Sequence, residues 1–129
     1  MKRLTVLLLA VMMLTACGQA KENDREAVYV NITAEEAKRI MDSEEGYIIL
    51  DVRTQEEYDE GHIPGAIVIS HAEIAEKAED VLTDKEQLIL VYCRSGRRSK
   101  LAAEALVELG YTNIKDFGGI IDWPYEVEQ

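Results

Sequence analysis

Cys93 opens the run Cys93-Arg94-Ser95-Gly96-Arg97-Arg98-Ser99, which follows a strongly apolar stretch and leads into a helical pattern. A cysteine at the carboxyl end of a buried strand, facing a helix start, is placed to act as a nucleophile. N–H groups of such a loop and of the first helical turn lack intrahelical acceptors, and together with the helix dipole they favour an anion. That field suits a thiolate, the reactive form of cysteine. Three arginines in this loop reverse the sign of a chain whose formal net charge is −11. The reversal predicts an anionic substrate, with Arg94, Arg97 and Arg98 as side-chain contacts and the main chain from Arg94 through Ser95, Gly96 and Ser99 supplying N–H donors.

The cysteine count points the same way. There are two cysteines, Cys17 and Cys93. Lys2 and Arg3 precede the apolar run Leu4 to Leu14, which ends in Leu14-Thr15-Ala16-Cys17. This run is shorter than the ~20 apolar residues of a membrane span and reads as a leader with a small-residue cleavage site. Leu14-Thr15-Ala16-Cys17 resembles a bacterial lipobox. The resemblance implies that residues 1–16 are removed, that Cys17 is lipidated, and that acyl chains anchor the protein on the extracytoplasmic side of a membrane. Residues 17–27 are polar and charged and read as a tether. With Cys17 acylated, Cys93 is left as a lone thiol in an exported domain, where thiols ordinarily end in disulfides. Loss of Lys2 and Arg3 makes the body more acidic still. Such a charge argues against binding nucleic acid or anionic headgroups, so the lipid rather than a basic patch would hold the protein at the membrane.

Positioning Cys93 requires a strand before it and a helix after it. Gln87 to Tyr92 reads as a strand buried on both faces, as do Tyr47 to Val52 and Ala66 to Ile69. Val28 to Asn31 and Asn113 to Phe117 add two more. Thr33 with Glu36 has the capping-box spacing ahead of Ala37, Ile40 and Met41, Thr54 caps an acidic helix ended by Gly61, and Ser70 is expected to cap a helix carrying Ile74, Ala75 and Ala78. Ser99 to Leu109 gives the strongest helix pattern, with Leu101, Ala102, Ala105, Leu106 and Leu109 on one face and Gly110 beyond its end. Strands alternating with helices predict an α/β domain over residues 28–129, with a mostly parallel central sheet and helices on both faces. No large exposed apolar face is predicted, and a monomer is expected.

Three motifs then carry a family resemblance. Cys-Arg-Ser-Gly-Arg-Arg-Ser from Cys93 resembles the active-site loop of single-domain rhodaneses. Asp51-Val52-Arg53-Thr54-Gln55-Glu56-Glu57-Tyr58 followed by Gly61-His62-Ile63-Pro64-Gly65-Ala66 is similar to the upstream signature of that family, and Gly118-Gly119-Ile120-Ile121-Asp122-Trp123 to its C-terminal motif. The resemblance spans nearly all of the chain after the tether. It implies a rhodanese-like fold and a sulfurtransferase that needs no cofactor. The Cys93 thiolate would take the outer sulfur of an anionic donor such as thiosulfate and pass it from a persulfide to cyanide, a thiol or a partner protein. The loop N–H groups would hold the persulfide and the departing anion.

Other polar residues read as structural. Asp51 ends a strand, Arg53 lies four residues before Glu57 at ion-pair spacing, and the His62 ring is expected to bond backbone in its turn. An ionised Cys93 needs no general base. His71 and the pairs Glu35-Glu36 and Glu56-Glu57 read as solvated surface, and Phe117 and Trp123 as core. Two histidines and one free cysteine make no metal-ligand set. A phosphatase or arsenate reductase on the same fold is the nearest rival enzyme, but those resemble Cys-x5-Arg loops. Here Ser99 holds the arginine position and Arg98 comes one residue early. A persulfide carrier, docking module or redox-sensing thiol is the non-enzymatic alternative.

Overall fold

The computed structural model describes residues 28–129, so the expected leader, Cys17 and the whole of the expected tether lie outside the described residues. In chain order the elements are β1 (Val30–Asn31), α1 (Ala34–Ser43), β2 (Ile48–Asp51), α2 (Gln55–Glu60), β3 (Ile67–Val68), α3 (Ile74–Val81), β4 (Ile89–Cys93), α4 (Arg97–Glu108) and β5 (Ile114–Gly119), with 3-10 turns at His71–Glu73 and Ile120–Asp122. The five strands form one sheet in the order β1-β5-β4-β2-β3, and every pairing is parallel. Among the described residues no helix is long and apolar enough to cross a membrane.

The unbroken apolar run of β4 has its explanation in this order. Lying between β2 and β5, β4 has all five residues buried. Successive side chains point to opposite faces. Ile89, Val91 and Cys93 join Leu50 and Ile114 beneath α3 (Ile74, Ala78) and α4 (Ala102, Ala103, Leu106). Leu90 and Tyr92 join Ile49 and Phe117 on the other face, where α1 contributes Ala37 and Trp123 packs at the margin. Helices therefore cover both faces, as the pattern predicts.

Local signals set most boundaries. Thr33 accepts the Glu36 N–H at 3.1 Å, and Thr54 and Glu57 form a complete capping box at the start of α2. The Gly110 N–H meets Val107 O at 3.0 Å beyond the end of α4. Five expectations are corrected. Ser70 makes no side-chain cap; its carbonyl instead accepts the Glu73 N–H at 2.8 Å, and a 3-10 turn leads into α3. At the sheet margin β3 is shorter than expected and its Ile67 is exposed, because only β2 pairs with it. Strand β4 includes Cys93, and β5 runs on to Gly119. Helix α4 starts at Arg97, two residues earlier than its apolar pattern suggests, because Gly96 takes a left-handed φ of 102° and turns the chain into the helix in one step.

Candidate active site

Strand β4 and helix α4 are separated by Arg94, Ser95 and Gly96 alone. Cys93 is therefore both the last strand residue and close to the helix start. Its side chain is 1% exposed, and its Sγ accepts the Gly96 N–H at 3.0 Å. The first helical N–H taken up is that of Lys100, by Gly96 O at 3.3 Å. Helix geometry leaves the N–H groups of Arg97, Arg98 and Ser99 without intrahelical acceptors, and with the dipole they make an anion cradle.

A close approach from β5 shapes the loop. Val91 is in register with Asp116 but Cys93 with Gly119, so one extra residue of β5 is accommodated beside the nucleophile. The main chain of Gly119 lies so near that a Cβ there would meet Arg94 O at 2.1 Å and Ser95 Cα at 2.6 Å. Only glycine fits. The Ile121 N–H then donates to Arg94 O at 3.2 Å, fastening the loop to the following turn.

The loop residues divide in a way that charge counting did not reveal. Arg94, Ser95 and Arg97 are exposed and Gly96 is half-buried. Among the described residues, neither Arg94 nor Arg97 has an ion pair, and both are available to a ligand. Arg98 is committed elsewhere: it grips Glu57 with two bonds of 2.6 and 2.9 Å. This pair holds the Arg98 guanidinium above its ordinary range. The Arg98 hydrogen bond, against the opposing effect of burial, pulls the Glu57 carboxyl down to about 2. Arg98 is thus corrected from a free substrate contact to a partnered residue, because Glu57 of α2 lies within reach of the first turn of α4. The Ser99 side chain is fully buried and donates to Gly96 O at 3.1 Å, which leaves its main-chain N–H as its contribution to the cradle.

Beneath the loop lies a carboxyl that sequence reading missed. Asp116 is 4% exposed and accepts the Gly118 N–H at 2.9 Å. Burial pushes its carboxyl up, and Gly118 and Ser99 pull it part of the way back. The only sequence signal was an acidic residue inside an otherwise buried strand.

The upstream signature is a separate polar network. Asp51 accepts from the Arg53 main chain at 2.9 Å and from its guanidinium at 2.7 to 3.1 Å. The Tyr92 hydroxyl donates to the same carboxylate at 2.7 Å and accepts the Ile63 N–H at 3.1 Å. Arg53 also donates to Gly61 O at 2.7 Å. Burial opposes the charge on Arg53, but the bond to Asp51 and its charge outweigh burial and hold the guanidinium above its ordinary range. Burial, with the bond to Asp51, raises the Tyr92 phenol. The expected Arg53–Glu57 pair does not form. Arg53 precedes α2 on non-helical backbone, where the four-residue helical spacing does not apply. His62 Nδ1 meets Tyr58 O at 2.8 Å, the backbone bond its turn suggested, and its ring stacks on Tyr58. His71 is half-buried rather than solvated, with a buried Nδ1.

A cavity of about 500 Å³ opens beside the loop, lined by Arg53, Glu57, Glu60, Gly61, Arg94, Ile120 and Ile121. No cluster of three or more His, Cys, Asp or Glu side chains among the described residues is arranged to hold a metal ion.

A buried strand-end cysteine in an N–H cradle is what the sequence motifs lead one to expect, whereas the Asp51-Arg53-Tyr92 network is a finding of the structure. Comparison with known families decides the matter: the rhodanese-like domain matches residues 33–124. The chain belongs to the rhodanese-like family. It is 41% identical over 73 residues to the thiosulfate sulfurtransferase PspE of Escherichia coli (strain K12), covering 57% of this chain and 70% of that protein. It is 40% identical over 77 residues to the thiosulfate sulfurtransferase GlpE of Coxiella burnetii, covering 59% and 70%. A solved structure described as a rhodanese with anions from E. coli superposes with a TM-score of 0.60 at 36% identity, over 64% of this chain and 98% of that one. The protein is a rhodanese-type sulfurtransferase on a rhodanese fold.

Proposed function

We propose that Cys93 carries sulfane sulfur from thiosulfate to a thiophilic acceptor, thiol or cyanide, on the outer face of a membrane to which Cys17 is lipid-anchored. In the first half-reaction the Cys93 thiolate attacks the outer sulfur of thiosulfate. The new bond is Sγ–S, the broken bond is the S–S bond of the donor, and sulfite leaves with the electron pair. In the second, an acceptor attacks the outer sulfur of the persulfide and the thiolate returns.

The observation that carries this reading is Sγ receiving the Gly96 N–H at 3.0 Å inside a loop whose remaining helix-start N–H groups are open. Sulfur extended by one atom from Sγ would enter that cradle, and Arg94 and Arg97 stand free to draw an anionic donor. Thiosulfate is the donor named for PspE and GlpE, which supports the same choice here.

Intact mass after incubation with thiosulfate tests the chemistry. The gain of one sulfur atom, reversed by cyanide and absent from Cys93→Ser, is the expected result. A folded protein that gains no sulfur from thiosulfate would overturn thiosulfate as donor. The anchor rests on Leu14-Thr15-Ala16-Cys17 and the apolar run before it. Expressed in a bacterial host, the protein is expected in the membrane fraction and Cys17→Ser in the soluble extracytoplasmic fraction. Equal partition of the two would remove the lipid.

A further inference from the structure

The cavity beside the loop sorts its charged groups into spent and unspent. Arg53 is bound to Asp51 and to Gly61 O, and Glu57 to Arg98. These paired charges leave little net field. Arg94 and Glu60 remain, both exposed, lining the same cavity, and without a side-chain partner among the described residues. The same lining includes Ile120 and Ile121, and Ile121 is 61% exposed and offers apolar surface. Arg94 directly follows the nucleophile in the chain, so the cavity it lines opens beside the active-site loop.

A mouth with one unpaired charge of each sign matches a ligand that carries both. From this juxtaposition of Arg94, Glu60 and Ile121 we infer that the sulfur acceptor is a small zwitterionic aminothiol, with a carboxylate toward Arg94, an ammonium toward Glu60 and its short carbon chain on Ile121. The inference rests on the sulfur-transfer reading above and assigns its second half-reaction. The acceptor thiolate attacks the outer persulfide sulfur and an S–S bond forms to the acceptor. The bond to Cys93 Sγ breaks, its electron pair returns to the Cys93 thiolate, and no external oxidant or reductant is needed.

Discharge of the preformed Cys93 persulfide, followed by intact mass, is the test. Four acceptors are compared: cysteine, cysteamine (no carboxylate), 3-mercaptopropionate (no ammonium) and cyanide. Reading each thiol as the ratio of wild type to variant removes differences in intrinsic thiol reactivity. Exposed ion pairs contribute up to ~1 kcal/mol, equivalent to about fivefold in rate constant. Glu60→Gln is therefore expected to slow cysteine and cysteamine about threefold while leaving 3-mercaptopropionate no slower. Arg94→Gln is expected to slow cysteine and 3-mercaptopropionate while sparing cysteamine. Equal effects of Glu60→Gln on all three thiols, or none on any, would overturn the acceptor assignment while cyanide still discharges the wild-type persulfide. Failure of cyanide to discharge it would overturn the sulfur-transfer reading, and the acceptor assignment with it.

Discussion

The two ends of β2 and β4 carry polar residues in comparable numbers, yet the two regions use them in opposite ways. Around Asp51 every polar group faces another. Its carboxylate takes bonds from Arg53 and Tyr92, Tyr92 in turn accepts from Ile63, and Arg53 spends its remaining reach on Gly61. Around Cys93 the donors are mostly main-chain, the side-chain cations Arg94 and Arg97 are unpaired among the described residues, and the helix-start N–H groups face outward from α4. A buried ion network that closes on itself holds shape; donors left open at a strand end are poised for something that arrives. The comparison assigns fold to the first region and chemistry to the second, although both belong to family motifs.

Cutting the closed network should then cost stability and spare chemistry. Asp51→Ala leaves the Arg53 charge and the Tyr92 hydroxyl buried without their partner. Breaking a buried pair from one side costs ~3–5 kcal/mol, a large share of the ~5–15 kcal/mol that stabilises a typical domain. Urea unfolding is expected to show that loss, while the fraction that remains folded loads sulfur at the wild-type rate. Asp51→Asn, which keeps hydrogen-bond acceptance, gives a milder series should the alanine variant fail to fold. A stable variant with slow sulfur loading would place Asp51 on the chemical side and break the comparison.

Legibility in the sequence follows the same division. Cys93 could be read because its signal is local: an unbroken apolar run, a cysteine, a glycine and a helix pattern. The layers could be read because the parallel strands are buried on both faces and so lack polar interruptions. Partners distant along the chain could not be read. Asp51 and Tyr92 are 41 positions apart, as are Glu57 and Arg98, and no local spacing announces either contact. The Arg53–Glu57 expectation failed for that reason: it used the one pairing that spacing offers, at a place where helix α2 has not yet begun. The requirement for glycine at Gly119 was equally hidden, since it arises from the main chain of Arg94 and Ser95 pressing from the loop after β4.

Glu57 lies on the border between the two regions and sharpens the comparison with a smaller effect. One of its oxygens joins the capping box of α2 while both engage Arg98 in the first turn of α4. Its carboxyl is held at about 2, below its ordinary 4.5, chiefly by the Arg98 hydrogen bond. A folded-state value below the unfolded one means stability that is complete above pH ~4.5 and drains away as pH falls toward 2. The Glu57 side chain is 28% exposed, so solvent screening limits the contribution to about 1 kcal/mol. Glu57→Gln is expected to be slightly less stable than wild type at pH 7, with the gap closing between pH 4.5 and 2. Such closure would show the pair acting as a clamp between α2 and the loop helix. If the gap stays constant with pH, Glu57 acts through its cap and packing alone, and the positioning of Arg98 must be credited to α4 itself.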